Sequence, residues 1–163
     1  MSDEKTEDIV TQYIRQFAVT VNLWGISLFL VVIGIIISGY LSYSKITDTE
    51  TVCVDGGGCD VVQSSIYSEL MGIPIVYLGL LTYLFIGVLL LFEPRISFLR
   101  EMGVTLLFAI VLFAFIYSMY LVYLQGAVLD AWCQWCLAHE ATMTGLFVVT
   151  ALRLKQILTI TEE

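Results

Sequence analysis

The chain has 163 residues, 59% of them hydrophobic, and a mean hydropathy of +0.91. Soluble domains hold roughly 45–50% apolar residues, so an ordinary soluble globule is excluded, at a length that makes one domain. The net charge of −8 sits in tails and loops, and the 7 basic residues form no cluster of the kind that binding to nucleic acid requires.

Residues 1–16 are largely polar and acidic, with Ile9, Val10, Tyr13, Ile14 and Phe17 at helical spacing. The pattern predicts an amphipathic cytoplasmic segment, 1–21, lying at the membrane interface. It lacks the basic start and short apolar core of a secretory leader, so the first span is expected to serve as its own insertion signal. Residues 16–44, 70–92 and 102–129 contain no Asp, Glu, Lys or Arg, and only His139 and Glu140 interrupt 131–152. Each run reaches the roughly 20 residues that cross a bilayer at ~1.5 Å per residue. Four transmembrane helices are predicted.

The first runs over 22–43, with Trp24 near one end and Tyr40 and Tyr43 near the other, as interfacial aromatic belts require. Gly34, Ser38 and Gly39 are small enough to admit a neighbouring helix. The loop 44–72 follows. In it Cys53 and Cys59 enclose three consecutive glycines, whose backbone freedom lets the two sulfurs meet or swing apart. Val61, Val62, Ile66, Leu70 and Met71 then repeat near helical period over a stretch too short to span, which predicts a short capping helix. Gly72-Ile73-Pro74 breaks the chain and starts helix two, 73–92, which stops at Glu93-Pro94. Helix three covers 103–124 and gathers Tyr117, Tyr120 and Tyr123 at its outer end. Residues 125–130 turn the chain into helix four, which opens on Cys133-Gln134-Trp135-Cys136. The expected fold is an all-α membrane protein: a four-transmembrane-helix bundle over 22–155, an extracytoplasmic loop with a short capping helix, and a cytoplasmic tail, 156–163.

Basic residues give the orientation. Lys5, Arg15, Arg95, Arg100, Arg153 and Lys155 flank one side, and only Lys45 falls on the other. By the positive-inside rule both termini are cytoplasmic and all four cysteines are extracytoplasmic. There, paired cysteines persist as disulfides. The host is expected to be a cell inner or plasma membrane, or the endoplasmic reticulum in a eukaryote.

Positions i and i+3 share a helix face, so Cys133 and Cys136 can close a disulfide and open it again. At a helix start, unpaired N–H groups and the helix dipole would stabilise a thiolate. One reading of the four cysteines is two inert structural bridges in a scaffold protein. Another is a zinc site of four thiolates, although five intervening residues exceed the usual two to four. A Cys-x-x-Cys bridge closes too short a ring to act as a staple, and three glycines do not stiffen the other pair. The second pair also sits at the membrane boundary, within reach of a lipid-soluble electron acceptor. A redox relay is favoured.

His139 and Glu140, one turn below Cys136, either lie at headgroup level or exchange protons with an acceptor that takes up two electrons and two protons. Ser64 and Ser65 either hydrogen-bond a ligand carbonyl or cap a helix. Trp132 and Trp135 read as belt anchors. Asp60 disfavours a thiolate at Cys59 by charge repulsion.

Taken together, Cys53-x5-Cys59, Ser64-Ser65, Gly72-Ile73-Pro74 and Cys133-x-x-Cys136 resemble the vitamin K epoxide reductase family over nearly the whole chain. Bacterial quinone-linked disulfide formers of the DsbB type share four spans and two cysteine pairs, but there the Cys-x-x-Cys pair comes first. The resemblance implies a bundle enclosing a quinone of the menaquinone, ubiquinone or vitamin K type near Cys133 and Cys136. It implies catalytic roles for all four cysteines. Cys136 faces the quinone, Cys133 exchanges with Cys59, and Cys53 takes electrons from a thioredoxin-fold, DsbA-like partner. Ser65, with Ser64, His139 and Glu140, is expected around the quinone. Animal members carry a tyrosine where this chain has Glu140, which bears on whether vitamin K epoxide is a substrate. The chain ends at Glu163 without the fused thioredoxin-like domain of many bacterial members, so a separate partner is expected. The expected function is quinone-linked oxidation of a partner dithiol in support of disulfide formation; vitamin K recycling is the alternative.

Overall fold

A computed structural model describes residues 2–49, 51–53 and 58–161, with side chains over 21–49, 51–53, 58–96 and 102–159. Two of the three glycines between Cys53 and Cys59, and the apolar side chains of the N-terminal segment, lie outside the described residues. The elements in order are α1 (Ser2–Thr47), α2 (Cys59–Ser64), a single 3₁₀ turn (Ile66–Ser68), β1 (Glu69–Leu70), β2 (Ile73–Pro74), α3 (Ile75–Phe92), α4 (Ser97–Ala127) and α5 (Gln134–Thr161). Among the described residues four stretches are long and apolar enough to cross a membrane: Val21–Thr47, Ile75–Phe92, Met102–Ala127 and Gln134–Thr159. The protein is a multi-pass, all-α membrane bundle.

Helix ends differ from the expected ones for local reasons. The N-terminal segment and the first span form one unbroken helix, because no Gly or Pro interrupts residues 2–24. The cap is shorter than the apolar period implied. Helix α2 stops at Ser64, Ser65 turns extended, and Leu70 and Met71 enter a hairpin pairing Glu69 with Pro74 and Leu70 with Ile73. Serine hydroxyls compete with backbone N–H groups for carbonyls here: Ser64 Oγ donates to Asp60 O (2.5 Å), Ser65 Oγ to Val62 O (2.8 Å) and Ser68 Oγ to Ser65 O (2.7 Å). The hairpin turns through Met71 and Gly72, both left-handed (φ 55° and 81°), as a two-residue connection demands. Met71 is 97% exposed.

Helix α5 packs against both α1 and α4, and α1 also packs against α3, whereas the α3–α4 seam is sparse. Val31, Tyr83, Ile86, Leu90, Leu107, Val111, Met143 and Leu146 form a packed core among the four spans. Lipid tails are as apolar as these side chains, so tight fit and polar contacts hold the helices together rather than exclusion from water. Gly34 supplies fit: a Cβ there would occupy the space taken by the Tyr83 ring. Gly39, by contrast, faces no neighbour within 4 Å. Trp24 joins the core edge by donating Nε1–H to Leu90 O (3.1 Å), so its indole is tied to α3 as well as placed near a span end. At this end Arg153 Nη2 meets Glu93 Oε1 at 2.5 Å, with Arg153 buried. Above the core, the open α3–α4 seam leaves a cavity.

Candidate functional site

The cysteine end is assembled from the turn before α5. Helix α4 ends at Ala127, and Asp130 takes a left-handed conformation (φ 44°) to reverse the chain. Gln125 fixes the turn twice: its backbone carbonyl accepts from Ala131 N–H, and its buried side-chain Oε1 accepts from Cys133 N–H, each at 3.1 Å. Cys133 then caps α5. Its carbonyl accepts from Leu137 N–H (3.0 Å) and its sulfur accepts from Cys136 N–H (3.2 Å), as a serine hydroxyl would at the same position.

Cys133 and Cys136 are free thiols in this structure, and Cys53 and Cys59 are disulfide-bonded with their Cα atoms 6.4 Å apart. The Cys133 thiol lies below its ordinary range because the Cys136 thiol donates to it. Burial opposes that shift, and the N–H groups of Cys136 and Trp135 reinforce it. The thiolate-stabilising helix start expected from sequence therefore acts on Cys133. Cys133 and Cys59 are both fully buried, whereas Cys53 and Cys136 are partly exposed.

Two contacts join the loop to the head of α5. Gly58, beside Cys59, lies so close to the Ala131 and Trp132 backbone that a Cβ would come within 2.6 Å of Ala131 Cβ. Trp135, beside Cys136, donates Nε1–H to the carbonyl of Val52, beside Cys53, at 2.8 Å. Tyr40 completes the joint: its hydroxyl accepts from Val52 N–H (3.2 Å), and its ring lies 4.7 Å from that of Trp135. Lower in the loop, Gln63 Nε2 donates to Thr51 Oγ1 (2.8 Å) and Lys45 Nζ to Gln63 O (3.3 Å).

Beneath the cap, a cavity of about 670 Å³ lies among the four spans, within the usual range of small-molecule pockets. Of the four cysteines, Cys136 alone lines it. Its walls are mostly apolar, including Leu78, Ile110, Ala114 and Met143, and Leu81 and Phe113 lie exposed at the α3–α4 seam. The polar lining is confined to a few points. His139 and Glu140 both reach it, at i+3 and i+4 from Cys136, where a helix presents one face. They diverge sideways. His139 sits by α3, edge-on to Tyr83 (centroids 5.2 Å), which donates its hydroxyl to the His139 carbonyl (3.4 Å). Glu140 is buried against α4, accepting from Ser118 Oγ and from Thr144 Oγ1 (3.4 Å).

Ser65 lines the cavity from the cap, whereas Ser64 is exposed and outside it. The structure thus brings Ser65, Cys136, His139 and Glu140 together around one space, with Cys133 directly behind Cys136. It also adds residues that pattern alone did not single out as site residues: Gln125, Tyr40, Ser118 and Gly79. Ser118 and Gln125 carry a readable signal, being hydrogen-bonding side chains inside an otherwise apolar span.

The sequence model of the vitamin K epoxide reductase family matches residues 25–151, a range that includes all four cysteines, the cap and every residue lining the cavity. This multi-pass membrane oxidoreductase belongs to the vitamin K epoxide reductase family.

Proposed function

We propose that the protein passes electrons from the dithiol of a separate thioredoxin-fold protein to a membrane quinone, through Cys53 and Cys59 and then Cys133 and Cys136, with the cysteine end extracytoplasmic. The observation that carries this reading is the position of Cys136, which lines an apolar cavity while its partner Cys133 lies buried beside the loop that holds Cys59.

The quinone fits the residues present. An apolar slot at an open helix seam suits a lipid-soluble ring entering from the bilayer, and sparse polar groups suit its carbonyls. When bound, the quinone supplies an acceptor for two electrons and two protons and leaves as quinol. Cys53, the more exposed of its pair, receives the partner thiolate and forms a mixed disulfide, freeing Cys59. The partner's second thiol resolves that bond and leaves oxidised. Cys59 attacks the sulfur of Cys133 when the α5 pair is oxidised, and Cys136 departs. Cys53 then attacks Cys59, restoring the loop disulfide and leaving Cys133 and Cys136 as the dithiol seen here. The Cys136 and Trp135 N–H groups pull the Cys133 pKa down and so favour a thiolate in this pair, and the remaining thiol proton leaves as the disulfide closes. Closing the Cys133–Cys136 disulfide releases the two electrons. Glu140 and His139 line the same space and supply the proton-transfer groups. Direction comes from the quinone's higher potential, because each exchange is itself reversible.

The test is quinone reduction by the purified protein in lipid nanodiscs, driven by a reduced thioredoxin-fold protein. Wild type is expected to consume one quinone per partner disulfide formed, and Cys136→Ala none. Full activity in Cys136→Ala, or bridges that resist mild dithiol in the wild type, overturns the reading. Parallel assay with vitamin K epoxide separates quinone reduction from epoxide recycling.

A further inference from the structure

Of the four buried serines on α1, three can be compared directly. Ser27 Oγ donates to Leu23 O at 2.9 Å within its own helix, and Ser42 Oγ donates to Val76 O of α3 at 3.4 Å. Ser38, between them and 2% exposed, has no hydrogen-bond partner for its Oγ. A buried hydroxyl in an apolar membrane interior loses the solvation it would have in water, so an orphan at this depth is a standing cost. Ser38 is among the residues that border the cavity.

What faces it narrows the chemistry. The point where a Gly79 side chain would begin lies 3.3 Å from His139 Nε2 and 3.8 Å from Ser38 Oγ. Gly79 therefore leaves a gap bordered by a hydroxyl from α1 and an imidazole nitrogen from α5. Among the described residues His139 Nε2 has no hydrogen-bond partner either; its contacts are the Tyr83 ring and, through its backbone carbonyl, the Tyr83 hydroxyl. On the other flank of Cys136, Glu140 is already engaged by Ser118 and Thr144. The two sides of the cavity are thus unlike: one polar group is satisfied by protein, the other pair is not.

We propose that Ser38 Oγ and His139 Nε2 together form the anchor for one ring carbonyl of the quinone, with Gly79 holding the gap open between them. This rests on the quinone reading above. The carbonyl oxygen accepts from Ser38 O–H and from His139 Nε2–H. After two electrons and two protons have been transferred, the same oxygen is a hydroxyl that donates back to either atom. The ligand class is a ring ketone of quinone type, whose oxygen supplies the missing acceptor while its ring fills the apolar slot. Ser38, His139 and Gly79 are binding residues that set affinity and ring orientation. Electron release stays with the cysteines.

The experiment pairs equilibrium binding with turnover in nanodiscs. Menadione and a short-chain ubiquinone are titrated by quenching of tryptophan fluorescence, and turnover uses dithiothreitol as donor. Ser38→Ala is expected to weaken quinone binding and raise the quinone KM roughly tenfold, the upper range for one buried hydrogen bond. Its kcat at saturating quinone and its KM for dithiothreitol stay within twofold of wild type, which a general packing defect would not allow. Gly79→Ala, which crowds His139, raises the quinone KM by a similar factor. If Ser38→Ala does not fold, His139→Gln, which keeps a side-chain N–H donor, is compared with His139→Leu; the glutamine is expected to bind several-fold more tightly. Unchanged quinone affinity in Ser38→Ala, or equal loss in both His139 variants, overturns the anchor. Wild type that binds quinone through Ser38 without reducing it leaves the anchor standing and sinks the reductase reading. Wild type that binds no quinone overturns both.

Discussion

The indole of Trp135 donates to the carbonyl of Val52 at 2.8 Å, joining the neighbour of Cys136 to the neighbour of Cys53 across 83 positions of sequence. Tyr40 locks the same joint from α1 by accepting Val52 N–H and packing on the indole. Trp135→Phe keeps an aromatic ring and removes only the donor. We expect transfer from the loop pair to the α5 pair to slow by up to about tenfold, the range of one hydrogen bond. Quinone reduction driven by dithiothreitol acting directly on Cys133 and Cys136 is expected to hold. Stopped-flow exchange measured with the two kinds of donor separates these effects.

Gln125 Oε1 is the acceptor for Cys133 N–H inside the bundle. Gln125→Leu leaves that N–H unsatisfied, at a cost of about 1–3 kcal/mol. Gln125→Glu retains an acceptor oxygen and is expected to recover part of the loss. Reversible unfolding in mixed micelles reads the difference.

The pull on Cys133 predicts the pH dependence of the α5 pair. Its folded pKa is lowered, so the dithiol state gains stability as pH rises through that pKa, and the gain is lost as pH falls back through it. Below the folded pKa, oxidation releases two protons with two electrons; above it, one. The reduction potential should therefore fall by about 59 mV per pH unit at low pH and about 30 mV above the break. Redox titration is expected to put the break below the ordinary thiol range. Cys136→Ala removes the thiol donor and should raise the Cys133 titration seen by thiol-specific alkylation.

Two glycines on α1 should respond differently to the same change. A methyl at Gly34 meets the Tyr83 ring, whereas one at Gly39 meets nothing. Gly34→Ala is expected to destabilise the bundle by about 1–3 kcal/mol through overpacking, and Gly39→Ala to be nearly neutral. Tyr83→Leu in the Gly34→Ala background should restore part of the loss by making room. Thermal unfolding of wild type, Gly34→Ala, Tyr83→Leu and the double variant completes the cycle, with Gly39→Ala as the control.

At the other end of the bundle, Arg153 is buried against Glu93. Arg153→Met strands the carboxylate and should cost about 3–5 kcal/mol, whereas the double variant with Glu93→Leu should be much closer to wild type. The same unfolding assay measures the coupling.

Much of this was legible in the sequence, because the signals involved are local. Uncharged runs long enough to span a bilayer announce helices wherever they fold, and the spacing of Cys133 and Cys136 fixes their shared helix face. The cap was misjudged in length because apolar period says nothing of the hydroxyls of Ser64, Ser65 and Ser68, which draw carbonyls away from the helix ladder. Glu140 could not be assigned a place from sequence, since its partner Ser118 lies 22 residues away on another helix. Ser38 read only as a small residue for helix packing. Its lack of a partner exists only once α1, α3 and α5 are in place around it.

The most direct measurement leaves Cys59 and Cys133 as the sole thiols, in the Cys53→Ala/Cys136→Ala protein, and oxidises it mildly in nanodiscs. Mass spectrometry of the digested protein is expected to find the two peptides joined by a Cys59–Cys133 disulfide in most molecules. Two thiols that stay separate under conditions that oxidise the wild-type pairs would contradict an electron path between the loop and α5.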